Sequence, residues 1–164
     1  MKILKDEEEK KALEWLNKAV EVAKQSLCQR AHYGSIIEKD GAELSEGFNS
    51  PPQNDEHYRT CANEYEIPTG FRHDRTCCIH AEQRAIQNGY KAGKDLRGAK
   101  IYLVTVDEAG NKVPTADLKC TICSRAVLDA GIKEFVYYFA DGVRSYDPEE
   151  VHKLSFEYKT PRKN

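Results

Sequence analysis

The 164-residue chain predicts an α/β domain with a central mixed sheet covered on both faces. Three observations carry this expectation. Apolar positions step by three and four residues over 6–27, as on one face of a helix. Two strand-like runs, 33–38 and 42–48, flank Lys39-Asp40-Gly41, and an Asp-Gly between such runs signals a hairpin. In the second half helical and strand patterns alternate, which implies right-handed crossovers between parallel strands. A chain of this length can bury a real core, so a single domain over 1–164 is expected, with a Cys/His-rich loop at about 51–79.

The first helix carries Leu13, Leu16, Ala19, Val20, Ala23 and Leu27 on its packed side, and its acidic run from Asp6 to Glu9 complements the positive end of the helix dipole. After the hairpin, Pro51 and Pro52 stop the second strand and turn the chain into a loop, leaving Phe48 and Asn49 at its mouth. Asn49 is a loop cap or holds a ligand hydroxyl. Residues 51–79 have no regular pattern; their Cys61, His57, His73, Cys77 and Cys78 suggest ordering by a metal, or an insertion with incidental thiols.

A helix is expected over 80–88, with Gly89 as its C-terminal cap. The β-branched and aromatic run at 100–106 reads as a buried strand and 107–111 as a turn. Cys120 then opens a helix over 121–130, capped by Gly131. A strand follows at 132–140, turned by Asp141-Gly142 toward 143–146, and a last helix begins near Pro148, a residue suited to a first helical position.

Charge and composition exclude several classes. Net charge is −2, with both signs intermixed, which argues against a protein built to coat nucleic acid or an anionic membrane. The highly charged N-terminal stretch holds no apolar segment of signal-peptide or membrane-span length, so a cytoplasmic protein is expected. Six cysteines in a reducing compartment point to metal ligation more than to disulfides.

Chemistry concentrates in His80-Ala81-Glu82 and Cys120-Thr121-Ile122-Cys123. One imidazole and two thiolates suit a zinc that keeps its fourth position open, and helix starts favour thiolate over thiol. Glu82 is two residues from His80 and need not ligate, so it is free to shuttle a proton. A structural four-ligand zinc completed by His57, His73 or another cysteine is the rival. His-x-Glu followed by Cys-x-x-Cys is the signature of zinc-dependent nucleobase deaminases.

On these motifs the chain resembles the cytidine/deoxycytidylate deaminase superfamily, closest to its deoxycytidylate (dCMP) deaminase-like branch. The resemblance runs from about Ser26 to Tyr138 and rests on Gly34-Ser35-Ile36-Ile37, Gly47-Phe48-Asn49-Ser50-Pro51-Pro52, Ile67-Pro68-Thr69-Gly70, the segment 80–86, Cys120 to Cys123, and Ala130-Gly131-Ile132. It implies a three-layer α/β/α sandwich with a five-stranded mixed sheet, zinc on His80, Cys120 and Cys123, Glu82 as proton shuttle and Asn49 on the sugar. It further implies hydrolytic deamination of a cytosine-type nucleotide, dCMP first, by a homo-oligomer. Cytidine, a free base, a modified nucleotide and tRNA adenosine are alternative substrates, and a non-catalytic zinc- and nucleotide-binding protein is an alternative function. A second, structural zinc would draw on Cys28, Cys61, His73, Cys77 and Cys78.

Three positions depart from the branch. Lys119 replaces the usual proline before the first metal cysteine. Arg84 stands where Asn is usual, placing a guanidinium that clamps a substrate phosphate or pairs with a surface carboxylate. The 37 residues between Glu82 and Cys120 exceed the pattern, and the surplus is assigned to 107–118, a loop close enough to reshape substrate access.

Overall fold

The computed structural model describes residues 1–60, 77–116, 118 and 120–157. Four helices, α1 (Asp6–Ala23), α2 (Ala81–Lys91), α3 (Thr121–Asp129) and α4 (Pro148–Glu157), surround one mixed sheet. Its five long strands are β2 (His32–Lys39), β3 (Ala42–Phe48), β4 (Lys100–Val106), β6 (Glu134–Phe139) and β7 (Gly142–Tyr146). Two strands of two residues each extend it: β1 (Lys2–Ile3) beside β7, and β5 (Lys112–Val113) beside β4. The sheet therefore has seven strands rather than the expected five, in the order β1-β7-β6-β4-β2-β3 with β5 on β4. Strands this short carry no period that a sequence pattern can register.

The hairpin forms as expected. Lys39 pairs with Ala42, so Asp40 and Gly41 are the whole turn, with φ of 53° and 81°. Both central residues of such a turn need positive φ, and Asp-Gly supplies them at least strain. α1 keeps its acidic first turn but ends at Ala23, four residues before the apolar spacing runs out at Leu27. Ser26 is used beyond the helix instead, its Oγ 2.7 Å from the carbonyl of Asn49.

Strand alternation sorts two cores. On one face Leu16, Ala19 and Ala23 of α1 meet Ile36, Tyr102, Val104, Val136 and Val143. On the other Ala85 and Ile86 of α2, Val127 of α3 and Val151 of α4 meet Ile37, Ile101, Phe135 and Tyr137. Neighbouring residues such as Ile36 and Ile37 thus point to opposite layers, as a period of two requires. Two glycines bring the layers close. A Cβ on Gly34 would lie 2.1 Å from the Ala19 carbonyl oxygen, and one on Gly47 would lie 2.3 Å from the Ala85 nitrogen. These strands meet helix backbone on opposite faces.

Topology places the site. β3 and β4 are each antiparallel to β2, hence parallel to each other, and β4 pairs parallel with β6. α2 crosses from β3 to β4 and α3 from β4 to β6, two crossovers in the same direction on the same face. Their N-termini therefore emerge at the same end of the sheet.

The two helices end alike. Gly93 (φ 68°) donates to the Tyr90 carbonyl and Lys94 to that of Gly89. Gly131 (φ 69°) donates to Leu128 and Ile132 to Val127. Both are Schellman closures. Gly131 caps α3 as expected, whereas Gly89 does not cap α2: it lies inside the helix, where a Cβ would meet Leu96 at 2.9 Å and Ser45 Oγ at 3.0 Å.

Candidate functional site

His80 is the N-cap of α2 and Cys120 the N-cap of α3. Gln83 accepts from the His80 amide at 3.4 Å, and the Cys123 amide points at Cys120 Sγ, 3.2 Å away. The loop before α2 is held by an antiparallel bridge, in which Ile79 donates to Ser50 at 2.9 Å and Ser50 to Ile79 at 3.3 Å. The end of β3 thus fixes the approach to His80.

His80 Nδ1 lies 3.1 Å from Cys123 Sγ and 3.3 Å from Cys120 Sγ. The two sulfurs are in contact, with Cα atoms 5.3 Å apart. Among the described residues this is the one group of three or more His, Cys, Asp or Glu side chains with ligand atoms all within 4.8 Å of one another. The donor set fits zinc: two soft thiolates and an imidazole, on two helix starts whose free amides favour negative sulfur. His57, a candidate fourth ligand in the rival reading, is exposed beside Tyr58 and is not in the group. His73 lies outside the described residues, as does Cys61.

Glu82 is the second residue of α2, in its first turn, and is 6% exposed. Burial pushes its carboxyl up from the ordinary range, against the opposing pull of His80. A carboxyl raised in this way holds a proton more readily than a solvated one, which suits a group that takes up a proton and gives it back.

Asn49 is not at the mouth of a loop but buried, 5% exposed. Its Oδ1 accepts from Ser26 Oγ at 2.7 Å and from the Tyr33 amide at 2.8 Å, and its Nδ2 donates to the Ala31 carbonyl at 2.8 Å. Ser26 shares its one proton between this Oδ1 and the Asn49 carbonyl, also 2.7 Å away, and one N–H of the amide is left for anything else. The loop-cap reading describes these contacts; the sugar ligand would have to engage the remaining N–H.

Arg84 is 7% exposed. Its Nη2 donates to Ser50 Oγ and to the Pro51 carbonyl, each at 3.0 Å, and Nε is buried without a hydrogen-bond partner. Among the described residues it forms no ion pair with a carboxylate, so the surface-pair expectation is corrected: the guanidinium is a strut between α2 and the turn after β3. Arg84→Gln is expected to destabilise the fold by about 1–3 kcal/mol, because it strands buried acceptors in that turn. A urea midpoint that falls at unchanged slope checks it.

Cys78 touches other thiols, Cys28 across the chain and its neighbour Cys77, but the three do not form a second ligand group among the described residues. Cys78 hydrogen-bonds Cys28, holding the Cys28 thiol down at about 5 and driving Cys78 up. The Thr60 amide points at Cys77 Sγ, 3.3 Å away. The surplus segment between α2 and α3 is pinned rather than free: β5 pairs with Thr105 and Val106, and the Thr115 amide donates to the Tyr138 carbonyl at 2.7 Å. Lys119 lies outside the described residues.

Sequence reasoning missed the polar contacts that tie α3 to α4. Ser124 Oγ is 2.9 Å from His152 Nδ1, across 28 residues with no local signal.

Known proteins resemble the chain in sequence and fold. ComE operon protein 2 of Bacillus subtilis (strain 168) is 31% identical over 120 residues, 73% of this chain and 54% of that protein, so the chain spans about half the length of this curated relative. Among solved structures, dCMP deaminase from the cyanophage S-TIM5 in complex with dCMP and dUMP has a TM-score of 0.52 at 22% identity, covering 80% of this chain and 82% of its own. Cytidine deaminase from Burkholderia pseudomallei has a TM-score of 0.57 at 18% identity, covering 85% and 94%. These likenesses establish the three-layer fold. The family model for the cytidine and deoxycytidylate deaminase zinc-binding region matches residues 9–139, which include the His80, Cys120 and Cys123 triad, and the chain belongs to that family.

Proposed function

We propose that the chain is a zinc-dependent hydrolase that deaminates a cytosine-type nucleotide, dCMP in the first instance, releasing ammonia. The observation that carries this reading is the convergence of His80 Nδ1 with the sulfurs of Cys120 and Cys123 beside the buried carboxyl of Glu82. A zinc held by His80, Cys120 and Cys123 supplies the acidity that makes hydroxide available from water near neutral pH. Glu82 would take one proton from that water and deliver it to the ring nitrogen, then take the second from the hydroxyl on C4 and pass it to the departing amino group, leaving the C4 oxygen as a carbonyl. The C4–N bond breaks as the oxygen of water takes its place, and ammonia leaves. Asn49 holds the sugar through its remaining amide N–H.

The nucleotide assignment is supported by the Gly47 to Pro52 segment and by the fold likeness to a deaminase bound to dCMP and dUMP. A second, structural zinc on Cys28, Cys61, His73 and Cys77 or Cys78 belongs to the same reading; the contact between Cys28 and Cys78 supports it. In this reading the 164 residues fold as one deaminase domain that acts in the cytoplasm, as a homo-oligomer, on a small molecule. No helix among the described residues is long and apolar enough to cross a membrane.

Ammonia release from cytosine, cytidine, deoxycytidine, dCMP, guanine and tRNA by zinc-loaded protein tests the proposal. dCMP is expected to react fastest, with two zinc ions per chain. Inert dCMP beside a reactive nucleoside or base removes the nucleotide assignment. Stoichiometric zinc without ammonia from any of the six leaves a binding protein. Arg84→Ala assayed on the active substrate separates a phosphate clamp, lost on phosphorylated substrates alone, from a strut, lost on all.

A further inference from the structure

Two of the three triad residues stand at the first turn of α3, and that turn is gripped from outside the site. Ser124 follows Cys123 directly and is fully buried. Its Oγ lies 3.1 Å from the Thr121 carbonyl, 2.9 Å from His152 Nδ1 and 3.4 Å from Ser155 Oγ. Ser155 Oγ donates to the His152 carbonyl at 2.7 Å, and Thr121 Oγ1 to the Ser155 carbonyl at 3.5 Å. Four side chains, two from each helix, thus lock α4 onto the start of α3.

Ser124 has one proton and two acceptor sites. The contact at 2.9 Å pairs its Oγ with His152 Nδ1, and the tautomer of the imidazole sets which of the two donates. The Ser124 amide donates in turn to the Cys120 carbonyl at 2.9 Å. The chain of contacts therefore runs from α4 through His152 and Ser124 to the backbone that carries both cysteines. A buried hydroxyl deprived of its partner would have to turn away or remain unsatisfied, and either outcome loosens that turn.

We propose that His152 is a positioning residue that, through Ser124, holds the Cys120–Cys123 turn in its metal-ligating geometry. This rests on the reading that His80, Cys120 and Cys123 hold zinc. Groups that orient ligands from outside the coordination sphere are worth about 10–100-fold in metal affinity; acting through one turn of backbone, His152→Ala is expected to lie near the lower end, about tenfold.

The test is competition for zinc against a chromophoric chelator, with steady-state kinetics beside it. His152→Ala and Ser124→Ala are each expected to weaken zinc affinity by about tenfold and to lower kcat with KM little changed, and the double variant to be no weaker than either single one. His152→Asn, whose amide reaches the same place, is expected to recover most of the loss. Folded single variants that bind zinc within twofold of the parent, or losses that multiply in the double variant, overturn the positioning role. A parent protein that takes up no zinc at the triad overturns the functional reading itself, which keeps the two failures apart. Should His152→Ala not fold, Ser124→Ala and His152→Asn carry the same measurement.

Discussion

Glu82→Gln is expected to lower ammonia release by about 10²–10⁴-fold, the usual worth of a positioned acid–base group, while zinc content and KM stay close to those of the parent. The substitution is nearly isosteric and leaves His80, Cys120 and Cys123 in place, so an effect on kcat alone isolates proton transfer. Stability should not fall. The Glu82 carboxyl is 6% exposed and pushed up by burial, so its charged form is disfavoured in the fold, and a neutral amide removes that burden. Ammonia released at the parent rate by a zinc-loaded Glu82→Gln protein would end the catalytic assignment of this residue. A thermal midpoint depressed by many degrees would instead assign Glu82 a structural part.

Gly47→Ala is expected to be one of the two most damaging single methyls in the described fold, costing at least about 3 kcal/mol, the upper end of ordinary overpacking. The added Cβ would sit 2.3 Å from the Ala85 nitrogen, 2.6 Å from the Ala81 carbonyl oxygen and 2.8 Å from the Arg84 carbonyl carbon. All three are backbone atoms of α2, so no rotamer can yield; the helix must lift. Because His80 caps that helix, zinc affinity should fall together with the urea midpoint. Gly34→Ala is the control. It presses as hard, 2.1 Å from the Ala19 carbonyl oxygen, but against α1 on the opposite face. It should lower the urea midpoint comparably and leave the zinc affinity of the folded fraction unchanged.

Legibility of the sequence followed the range of the forces involved. Asp40-Gly41 was readable because the turn depends on two adjacent residues that tolerate positive φ. Strand faces were readable because burial alternates, as Ile36 and Ile37 show. The triad was readable because its spacing is coordination chemistry. Gly89 misled because a glycine that admits a neighbouring side chain looks the same in sequence as one that ends a helix; only Leu96 and Ser45 distinguish it from Gly93. α1 stops short of Leu27 because Ser26 is drawn to Asn49, a contact made across 23 residues. Arg84 could not be placed from its charge, since its partners are a neutral hydroxyl and a carbonyl in a turn. The His152–Ser124 contact is legible only once α4 is known to lie on α3.

The parallel pairing of β4 with β6 has a consequence for assembly. The imidazole of His80 and the sulfur of Cys120 are 40 residues apart in sequence, and the strand between their helices must be seated before they meet. An unfolded chain holds no such triad, and parallel pairing closes late because its loop entropy comes first. Metal affinity at this site is therefore folding free energy by linkage: free zinc shifts the population toward chains whose crossovers are already in place, and a chelator draws it back.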